Sequence, residues 1–420
     1  MVCAGSLRIG PGLCDKRGMS LAKYLLLSFL LLALLPLLAA CGGQGTKAGF
    51  DGSPYIDPGR MEKDEIVHLP TGTRLTRSEL FELLAAARVV FIGEGHDNIY
   101  DHRVELEVIE ALARLRPGRI MVGFEMLDAE SQSGIDDWLA GRLSEDDFIR
   151  LFARQWGVYD YIYYRDIFAF LKDKQIPTLG LNVSRRRKME FMRRFKQSGS
   201  AAVATEPADP YQEKALRAMF AGHAGGHGDF GIFFAVQRLW EETMAGNIAK
   251  VLNETANRDK IMVVISGEFH IARGYGLPRK VFQRLKLPYA TLLTTTPPRL
   301  YENQPQTMDV DFPALPLYLG DYLWCVPYRN LKERQVRLGV GLKKALSGDG
   351  IEIVMVAADT PAARAGLEKG DVLLSCDGQS LDDPLDLSLY LLRRQPGDEI
   401  ELRIKRHGRP LTLPVRLLSD

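Results

Sequence analysis

The chain has 420 residues, of which 25% are charged and 46% are apolar, values typical of a soluble globular protein with two or three folded units. Its 54 basic residues nearly balance its 53 acidic residues, so we expect no nucleic-acid partner. The five cysteines include no Cys-x-x-Cys pair, which argues against a cysteine-ligated zinc site and a disulfide framework.

The amino terminus has the pattern of a bacterial export signal. Lys23 precedes an apolar run at 24–38, and small residues then lead to Cys41. This order is typical of a secretory signal peptide, and a cysteine after Leu-Ala-Ala resembles a lipobox, in which that cysteine is lipidated. We predict a lipoprotein signal peptide over residues 1–41. A transmembrane anchor is the alternative, although the apolar run is short for a membrane span.

The export signal would have an ordinary length if Met19 were the true start. The signal predicts a protein of the bacterial cell envelope that is attached to a membrane by its lipid. We expect this to be the outer membrane, with the protein facing the periplasm or the surface. A glycine-rich linker is predicted over 42–64. In an oxidising compartment a disulfide between Cys325 and Cys376 is possible, although no sequence feature supports it. For Cys376 we expect a buried, inert thiol.

Helices and strands alternate along residues 65–300. Apolar runs rich in β-branched residues predict strands, and amphipathic stretches predict helices. The predicted strands are 89–93, 119–125, 175–182, 261–267 and 288–293, and the predicted helices are 78–87, 101–115, 136–152 and 233–252. This alternation predicts an α/β domain with a mostly parallel sheet and helices on both of its faces.

Two of the predicted strands end in the same Gly-Glu-x-His pattern. The first ends with Glu94 and His96, the second ends with Glu268 and His270, and a third strand ends in Glu125. Ligands of open α/β sheets bind in the crevice outside the carboxyl ends of the strands. One Gly-x-x-His is a weak signal, but its repetition in the same context predicts a ligand site at this edge.

Other polar residues could join this site. His102 begins the helix after His96 and could face the crevice or cap the helix. His223 and His227 lie in a glycine-rich loop, which indicates either a lid over a ligand or an exposed loop. Asn182 ends another strand and could bind ligand or satisfy loop backbone. The candidate ligand-site residues are Glu94, His96, His102, Glu125, His223, Glu268 and His270.

Several short motifs stand in a characteristic order between residues 65 and 295. They are Gly-Glu-x-His at 93–96, Gly-Phe-Glu at 123–125, Ala-Val-Gln at 235–237, Trp-Glu at 240–241, Met-Ala at 244–245, Gly-Glu-Phe-His at 267–270 and Gly-Tyr-Gly-Leu-Pro at 274–278. Together they resemble the ChaN family of haem-binding lipoproteins associated with iron uptake. The resemblance implies haem held by a homodimer, with a tyrosine and a histidine near the iron, and makes His96 and His270 candidate contacts of the metal.

The ChaN family is also similar at the fold level to the erythromycin esterase and TraB/Tiki groups. Those groups use paired Gly-x-x-His motifs for hydrolysis, in the Tiki case with a metal. The alternative function is therefore a metal-dependent hydrolase, with zinc or manganese bound through the paired motifs. The Glu-x-x-Arg motif of Tiki-type proteins is absent after Glu125, which counts against a close match to that group.

A second pattern follows a segment rich in proline and tyrosine, 301–333, which we predict to be a linker. The run Leu338-Gly339-Val340-Gly341-Leu342, the glycine-containing stretch 360–378 and an amphipathic helix around 385–392 resemble a PDZ domain of the bacterial protease-associated type. The resemblance implies a small β-barrel-like domain over 334–418. Backbone N–H groups in 338–342 would capture a peptide carboxylate, and the adjoining strand edge would receive the peptide.

These patterns together predict a binding protein more than an enzyme. We expect a membrane-anchored bacterial lipoprotein that binds haem or an iron-containing ligand for iron uptake. Its PDZ domain would dock a peptide or the carboxyl terminus of an envelope protein. Besides the hydrolase, a scaffold whose sheet edge has lost its ligand is a further alternative.

Overall fold

An eight-stranded sheet is the centre of the larger domain. The computed structural model describes residues 53–198, 209–222, 228–305, 310, 315–345 and 348–418. The strands of this sheet are β1 (Ile66–His68), β2 (Thr73–Leu75), β3 (Val89–Glu94), β4 (Ile120–Asp128), β5 (Thr178–Asn182), β6 (Ile261–Gly267), β7 (Tyr289–Thr295) and β8 (Tyr322–Cys325). Their spatial order is β2-β1-β8-β7-β3-β6-β4-β5. The strands from β8 to β5 run parallel, and β1 joins β8 and β2 antiparallel.

Ten helices accompany this sheet in the described ranges. They are α1 (Arg77–Leu84), α2 (Ile99–Leu115), α3 (Gln132–Leu139), α4 (Glu145–Ala153), α5 (Tyr161–Asp173), α6 (Arg185–Ser198), α7 (Pro210–Gly222), α8 (Phe230–Leu252), α9 (Glu268–Ile271) and α10 (Leu277–Leu285). Among the helices of the described ranges, none is both long enough and apolar enough to cross a membrane.

Both faces of the sheet are covered, and the central strands show why. Every residue of β3 is buried. Its alternate side chains point to opposite faces, so Val90 and Ile92 join one hydrophobic core while Val89 and Phe91 join the other. Strands buried on both faces read as continuous apolar runs, which is the pattern of a parallel sheet between helical layers. The predicted fold class is confirmed.

The smaller domain is built on an antiparallel sheet. Its strands are β9 (Val340–Lys344), β10 (Ile351–Val356), β11 (Val372–Cys376), β12 (Gln379–Ser380), β13 (Glu399–Arg406) and β14 (Arg409–Arg416), with helices α11 (Pro361–Arg364) and α12 (Pro384–Leu391). The order is β14-β13-β11-β10-β9, and β12 pairs with β11. Within the described ranges β9 is therefore an edge strand, and α12 contacts it.

The structure differs from the sequence prediction between residues 136 and 152. One helix was expected there, but α3 ends at Leu139 and α4 begins at Glu145. Gly141 has a φ of +74°, a left-handed conformation that ends a helix. Ser144 then caps the next helix, because its side-chain oxygen accepts from the Asp147 N–H at 3.1 Å.

The predicted linker 301–333 also differs from the structure, because it contains a strand of the large sheet. β8 is buried along its whole length and lies between β7 and β1. The short strands β1 and β2 were not predicted either. Three or four residues carry too little periodicity to be recognised, and their partners are distant in the sequence.

The Cys325–Cys376 disulfide that the sequence left open is not formed. Cys325 in β8 and Cys376 in β11 are both buried and free. Burial raises the pKa of the Cys325 thiol to about 11 and that of the Cys376 thiol to about 12. Both therefore remain neutral thiols in their hydrophobic cores, as expected for inert buried cysteines.

Candidate functional site

The carboxyl ends of β3, β6 and β4 bring the two Gly-Glu-x-His motifs together. In the sheet Glu94 lies beside Gly267, and β6 also pairs with β4, which carries Glu125. The side chain of Glu125 crosses to the motif on β6, where its Oε2 accepts from Ser266 Oγ at 2.6 Å and from the Gly267 N–H at 2.9 Å. The repeated motif thus forms one crevice.

His96 is the partly exposed imidazole of this crevice, with 38% of its side chain accessible to solvent. Its Nδ1 lies 2.6 Å from Glu94 Oε1, and because a carboxylate only accepts hydrogen bonds, Nδ1 carries the proton. Trp156 packs against the ring in an edge-to-face arrangement, with the ring centroids 4.8 Å apart. Burial lowers the pKa of His96, but its hydrogen bond to Glu94 and the charges of Glu94 and Glu125 outweigh burial and raise that pKa.

Because Gly267 has no side chain, it leaves space for the His96 ring. A Cβ at residue 267 would stand 2.9 Å from His96 Nε2 and 3.0 Å from Cε1. The same point is 3.7 Å from Glu125 Oε2, so the imidazole lies over the glycine and beside the carboxylate. The glycine is therefore needed for close approach, because its φ of −51° is open to any residue.

Beneath His96, the buried side chains of Glu94, His102, Glu105 and Tyr164 form a second layer. His102 Nδ1 lies 3.0 Å from Glu105 Oε2 and 3.1 Å from Glu94 Oε2, while His102 Nε2 lies 3.2 Å from the His96 carbonyl oxygen. The Tyr164 hydroxyl donates to Glu94 Oε1 at 2.5 Å. His102 therefore faces Glu94 from below and supports the crevice from inside the fold.

The charges of this layer balance one another. Burial alone would raise the pKa of Glu94, but His102 and His96 hold it well below its ordinary value. Burial likewise opposes the charge of His102, yet Glu105 and Glu94 raise its pKa well above the ordinary value. Burial and the charge of Glu94 raise the pKa of Glu105. These directions favour the charged forms of Glu94 and His102 and the neutral form of Glu105.

The donor atoms of Glu94, His102 and Glu105 all lie within 4.8 Å of one another, a set that could hold a metal ion by donor type. Glu94 Oε2 and Glu105 Oε1 accept no hydrogen bond, although Glu94 Oε2 lies within ion-pair distance of His102. All three side chains are buried, however, and a catalytic metal needs an open position for water or substrate. The geometry therefore favours a charge network that supports His96.

His270 does not offer an open nitrogen to a metal. It is 5% exposed, its Nε2 faces Glu125 Oε1 at 3.5 Å, and its Nδ1 faces Glu241 Oε1 at 3.2 Å. Burial lowers the pKa of His270, but the two carboxylates raise it to about 10. Burial in turn raises the pKa of Glu125, but His270, His96 and Ser266 lower it to about 2. At neutral pH His270 is thus a cation between two carboxylates, and its role as a metal contact stays a prediction.

Glu241 on α8 connects the His270 imidazolium to residues of α7 and α10. Gln212 Nε2 donates to both of its oxygens, at 2.7 and 2.8 Å, and Lys280 Nζ lies 3.3 Å from Oε2. The contacts of His270 and Glu241 thus join β4, α7, α8 and α10 behind the crevice. Their role is to hold Glu125 in place.

The remaining candidates have different positions. Glu268 is partly buried, and burial raises its pKa while Arg273 and His96 act in the opposite direction. Asn182 Oδ1 accepts from the Val183 N–H at 2.8 Å, so it satisfies loop backbone. His223 and His227 lie outside the described residues, and so does Cys41.

Sequence patterns did not reveal several members of the site. Glu105 lies three residues after His102 on the buried face of α2, where a carboxylate interrupts an apolar stripe. Such a buried charge implies a partner, and this was a signal that could have been used. The contributions of Ser266, Gln212 and Lys280 depend on tertiary packing and leave no such mark in the sequence.

The PDZ peptide segment lies at the start of β9. Gly339 has a φ of +82°, and a Cβ there would stand 2.3 Å from the Thr360 side chain, so the turn requires glycine. Leu338 is buried in the core of the small domain, and Val340 and Leu342 pack against that core. β9 is an edge strand in contact with α12, and an exposed strand edge is where a peptide strand could be added.

The comparisons with known proteins agree with this architecture. Residues 80–281 match the family model described as "Haem-binding uptake, Tiki superfamily, ChaN". Residues 336–417 match the PDZ domain model. Residues 80–281 thus match a ChaN-like haem-binding domain and residues 336–417 a PDZ domain, and both predicted resemblances are confirmed.

Individual relatives are similar over parts of the chain. A probable periplasmic serine endoprotease, DegP-like, of Halomonas elongata is 46% identical over 50 residues, which are 12% of this chain and 10% of the relative. The serine protease Do-like HtrA of Lactobacillus helveticus is 32% identical over 69 residues, 16% of this chain and 17% of the relative. The chain thus spans 10–17% of the length of these relatives.

Two solved structures are also similar. ChaN of Campylobacter jejuni, with cofacially bound haem, is 14% identical, with a TM-score of 0.49, and the match covers 64% of this chain and 98% of that chain. The HtrA-type protease AlgW with a decapeptide is 29% identical, with a TM-score of 0.20, and the match covers 21% of this chain and 30% of that chain.

Proposed function

We propose that this protein binds haem in the crevice at His96 and serves iron uptake in the bacterial cell envelope. The observation that carries the proposal is the state of His96: an imidazole in the crevice, partly exposed, with Nδ1 held by the buried Glu94. A histidine that ligates a metal through one nitrogen commonly donates its other N–H to a carboxylate, which fixes the tautomer. The family model supports haem as the metal group.

The donor set fits haem as cargo. Haem requires an apolar contact surface and one or two axial donors, whereas hydrolysis requires several polar groups in reach of substrate. Trp156 supplies an aromatic contact beside His96. Most other polar groups of the crevice are engaged with one another, since Glu94 pairs with His96 and His102, and Glu125 pairs with His270. His96 would hold the iron, and the buried groups would orient His96.

Replacing His96 by alanine is expected to remove the saturable Soret shift seen when the purified protein is titrated with haemin, and to weaken binding at least about tenfold. His68→Ala is the matched control, because His68 also bonds a neighbour, Thr71, and lies on β1, which β8 and β7 separate from β3. It should bind haemin like the wild type. Equal haemin affinity of the His96 variant and the wild type would exclude this ligand assignment.

Metal analysis of the same protein tests the second candidate function, that of a metal-dependent hydrolase. The clustered donors of Glu94, His102 and Glu105 favour a divalent ion by type, and a metal-dependent hydrolase would carry stoichiometric zinc or manganese. We expect no stoichiometric zinc or manganese, because the cluster is buried and its charges already balance. Stoichiometric metal without a saturable haemin spectrum would replace the haem proposal by the hydrolase.

The membrane attachment is proposed from Cys41 and the residues before it. Each buried CH₂ of an attached acyl chain contributes about 0.8 kcal/mol to membrane binding, and more than one chain gives stable anchoring. The Cys41→Ser protein is therefore expected to move from the membrane fraction to the soluble fraction of fractionated cells. A wild-type protein that is already soluble would contradict the anchor.

Two further parts of the proposal concern assembly. A homodimer would hold the haem, as the family resemblance implies, and the PDZ domain would dock a peptide or the carboxyl terminus of an envelope protein. Sedimentation velocity with and without haemin measures the first part. A dimer that forms or strengthens with haemin supports it, and a monomer in both conditions opposes it.

A further inference from the structure

The PDZ domain packs directly on the haem-binding-family domain through the helix that borders its peptide groove. Leu389 of α12 is buried in the core of the larger domain, and Leu392 packs against the same core. Ion pairs join Arg150 to Asp386 and Arg393 to Asp146 on either side of this contact. α12 is thus held between β9 and α4.

The residue before the peptide segment reaches toward the rim of the candidate haem site. The guanidinium carbon of Arg337 lies 5.1 Å from the centre of the Tyr159 ring, a cation–π contact. Tyr159 is three residues from Trp156, whose ring contacts His96. The charges of both His96 and Arg337 act on the neighbouring Asp160. The peptide loop and the crevice therefore share one polar and aromatic rim.

We propose that a protein chain end with an apolar last side chain binds along β9, that its terminal carboxylate contacts Arg337 and the backbone N–H groups of the 338–342 segment, and that it thereby weakens ligand binding at His96. This inference rests on the proposed function. The apolar pocket would be formed by Leu338, Val340, Leu342, Leu387 and Leu391, which belong to or pack on the core of the small domain. The edge of β9 accepts the added strand.

The sign of the effect follows from charge. An incoming carboxylate adds a negative charge to the rim and engages the Arg337 guanidinium, which now lies beside Tyr159 and offsets the charge of Asp160. Haemin carries two propionate groups, so a more negative rim binds it less well. Binding free energies are reciprocal, and haemin must therefore weaken the peptide by the same factor.

The first measurement uses the full chain and fluorescent decapeptides that end in alanine, valine, leucine or phenylalanine, each with a free and an amidated terminus. We expect at least one free-carboxylate peptide to bind saturably by anisotropy, and its amide to bind at least about tenfold more weakly. Haemin Kd should rise at least about fivefold with this peptide at saturation, at low ionic strength. If no peptide binds, or if haemin Kd is unchanged, the proposal is wrong.

Variants identify the contact responsible. Arg337→Ala should weaken the free-carboxylate peptide and abolish its effect on haemin Kd. Arg364→Ala removes an exposed charge from the same domain and should behave like the wild type. An Arg337 variant that keeps the full effect on haemin would overturn the assignment.

A readout without haem keeps this inference separate from the proposed function. With 5-fluorotryptophan incorporated, the Trp156 signal, assigned by its loss in Trp156→Phe, should shift when the free-carboxylate peptide binds and remain in place with the amide. A shift in a protein that fails to bind haemin would support the contact between groove and crevice and reject only haem as the ligand. A Trp156 signal that does not respond to bound peptide would reject the contact itself.

Discussion

Replacing His270 by alanine is expected to lower the free energy of unfolding by roughly 3–5 kcal/mol, the cost of breaking a buried ion pair by removal of one partner. The imidazolium lies between Glu125 and Glu241, and without it both buried carboxylates lose a partner. Urea unfolding followed by circular dichroism at pH 6 measures the change. His68→Ala, which removes a hydrogen bond to Thr71, should cost no more than about 1.5 kcal/mol. Equal losses in the two variants would contradict the assignment.

The ion pair of His270 and Glu125 makes the free energy of unfolding depend on pH, and the two pKa shifts give the sign of this dependence. The pKa of His270 rises from an ordinary 6.5 to about 10, so its contribution to stability is complete below pH 6.5 and is lost as the pH rises toward 10. The pKa of Glu125 falls from 4.5 to about 2, so its contribution is complete above pH 4.5 and is lost as the pH falls toward 2. His270→Gln should therefore lose less stability than the wild type between pH 6.5 and 10. Parallel profiles of the two proteins would oppose this origin.

Gly267→Ala is expected to reduce haem affinity by about 10–100-fold, the usual cost of disturbing the partners that orient a metal ligand. The new Cβ would stand 2.9 Å from His96 Nε2, so the ring must move and the hydrogen bond from His96 to Glu94 is disturbed. The partly exposed ring has room to move outward, and the backbone conformation suits alanine. The free energy of unfolding should therefore fall by no more than about 3 kcal/mol, the cost of losing one hydrogen bond to a charged group. Haemin titration and urea unfolding of the same samples separate the two effects.

Gly246→Ala is the matched control for Gly267→Ala. Gly246 lies inside α8, and a Cβ there meets nothing within 4 Å. Alanine is favoured over glycine in a helix interior by about 0.8–1.0 kcal/mol, so this variant should be slightly more stable and bind haemin normally. If Gly267→Ala also bound haemin normally, the close approach of His96 to residue 267 would have no role in ligand binding.

The parts that the sequence predicted well are those with a long local pattern. In each of the strands β3, β4 and β6, at least four of the first five residues are apolar, and the polar residues at their ends follow from topology. β8 was missed because four residues placed by pairing with β7 and β1 show no period of their own. Helix 136–152 was predicted as continuous because apolar residues continue at helical spacing on both sides of Gly141, whose left-handed backbone separates α3 from α4.

The structure brings the two predicted Gly-Glu-x-His motifs together, but it gives their histidines different surroundings. His96 and His270 occupy equivalent places in a repeated motif, and the sequence treats them alike. The structure separates them, because Glu241 on α8 closes the second nitrogen of His270, whereas His96 remains partly exposed. The difference between the two histidines depends on Glu241 of α8, which lies far from the His270 motif in the sequence. No local sequence pattern therefore predicts it.

The packing of Leu389 and Leu392 against the larger domain bears on how the two halves of the protein can be produced and handled. A fragment that begins at the predicted boundary, residue 334, would present both leucines to water, because the core that covers them lies on the other side of the cut. Adjacent uncovered leucines favour self-association. Polar substitutions at Leu389 and Leu392 should therefore make the isolated peptide-binding half more soluble. In the intact chain the same substitutions should loosen the contact between the two halves.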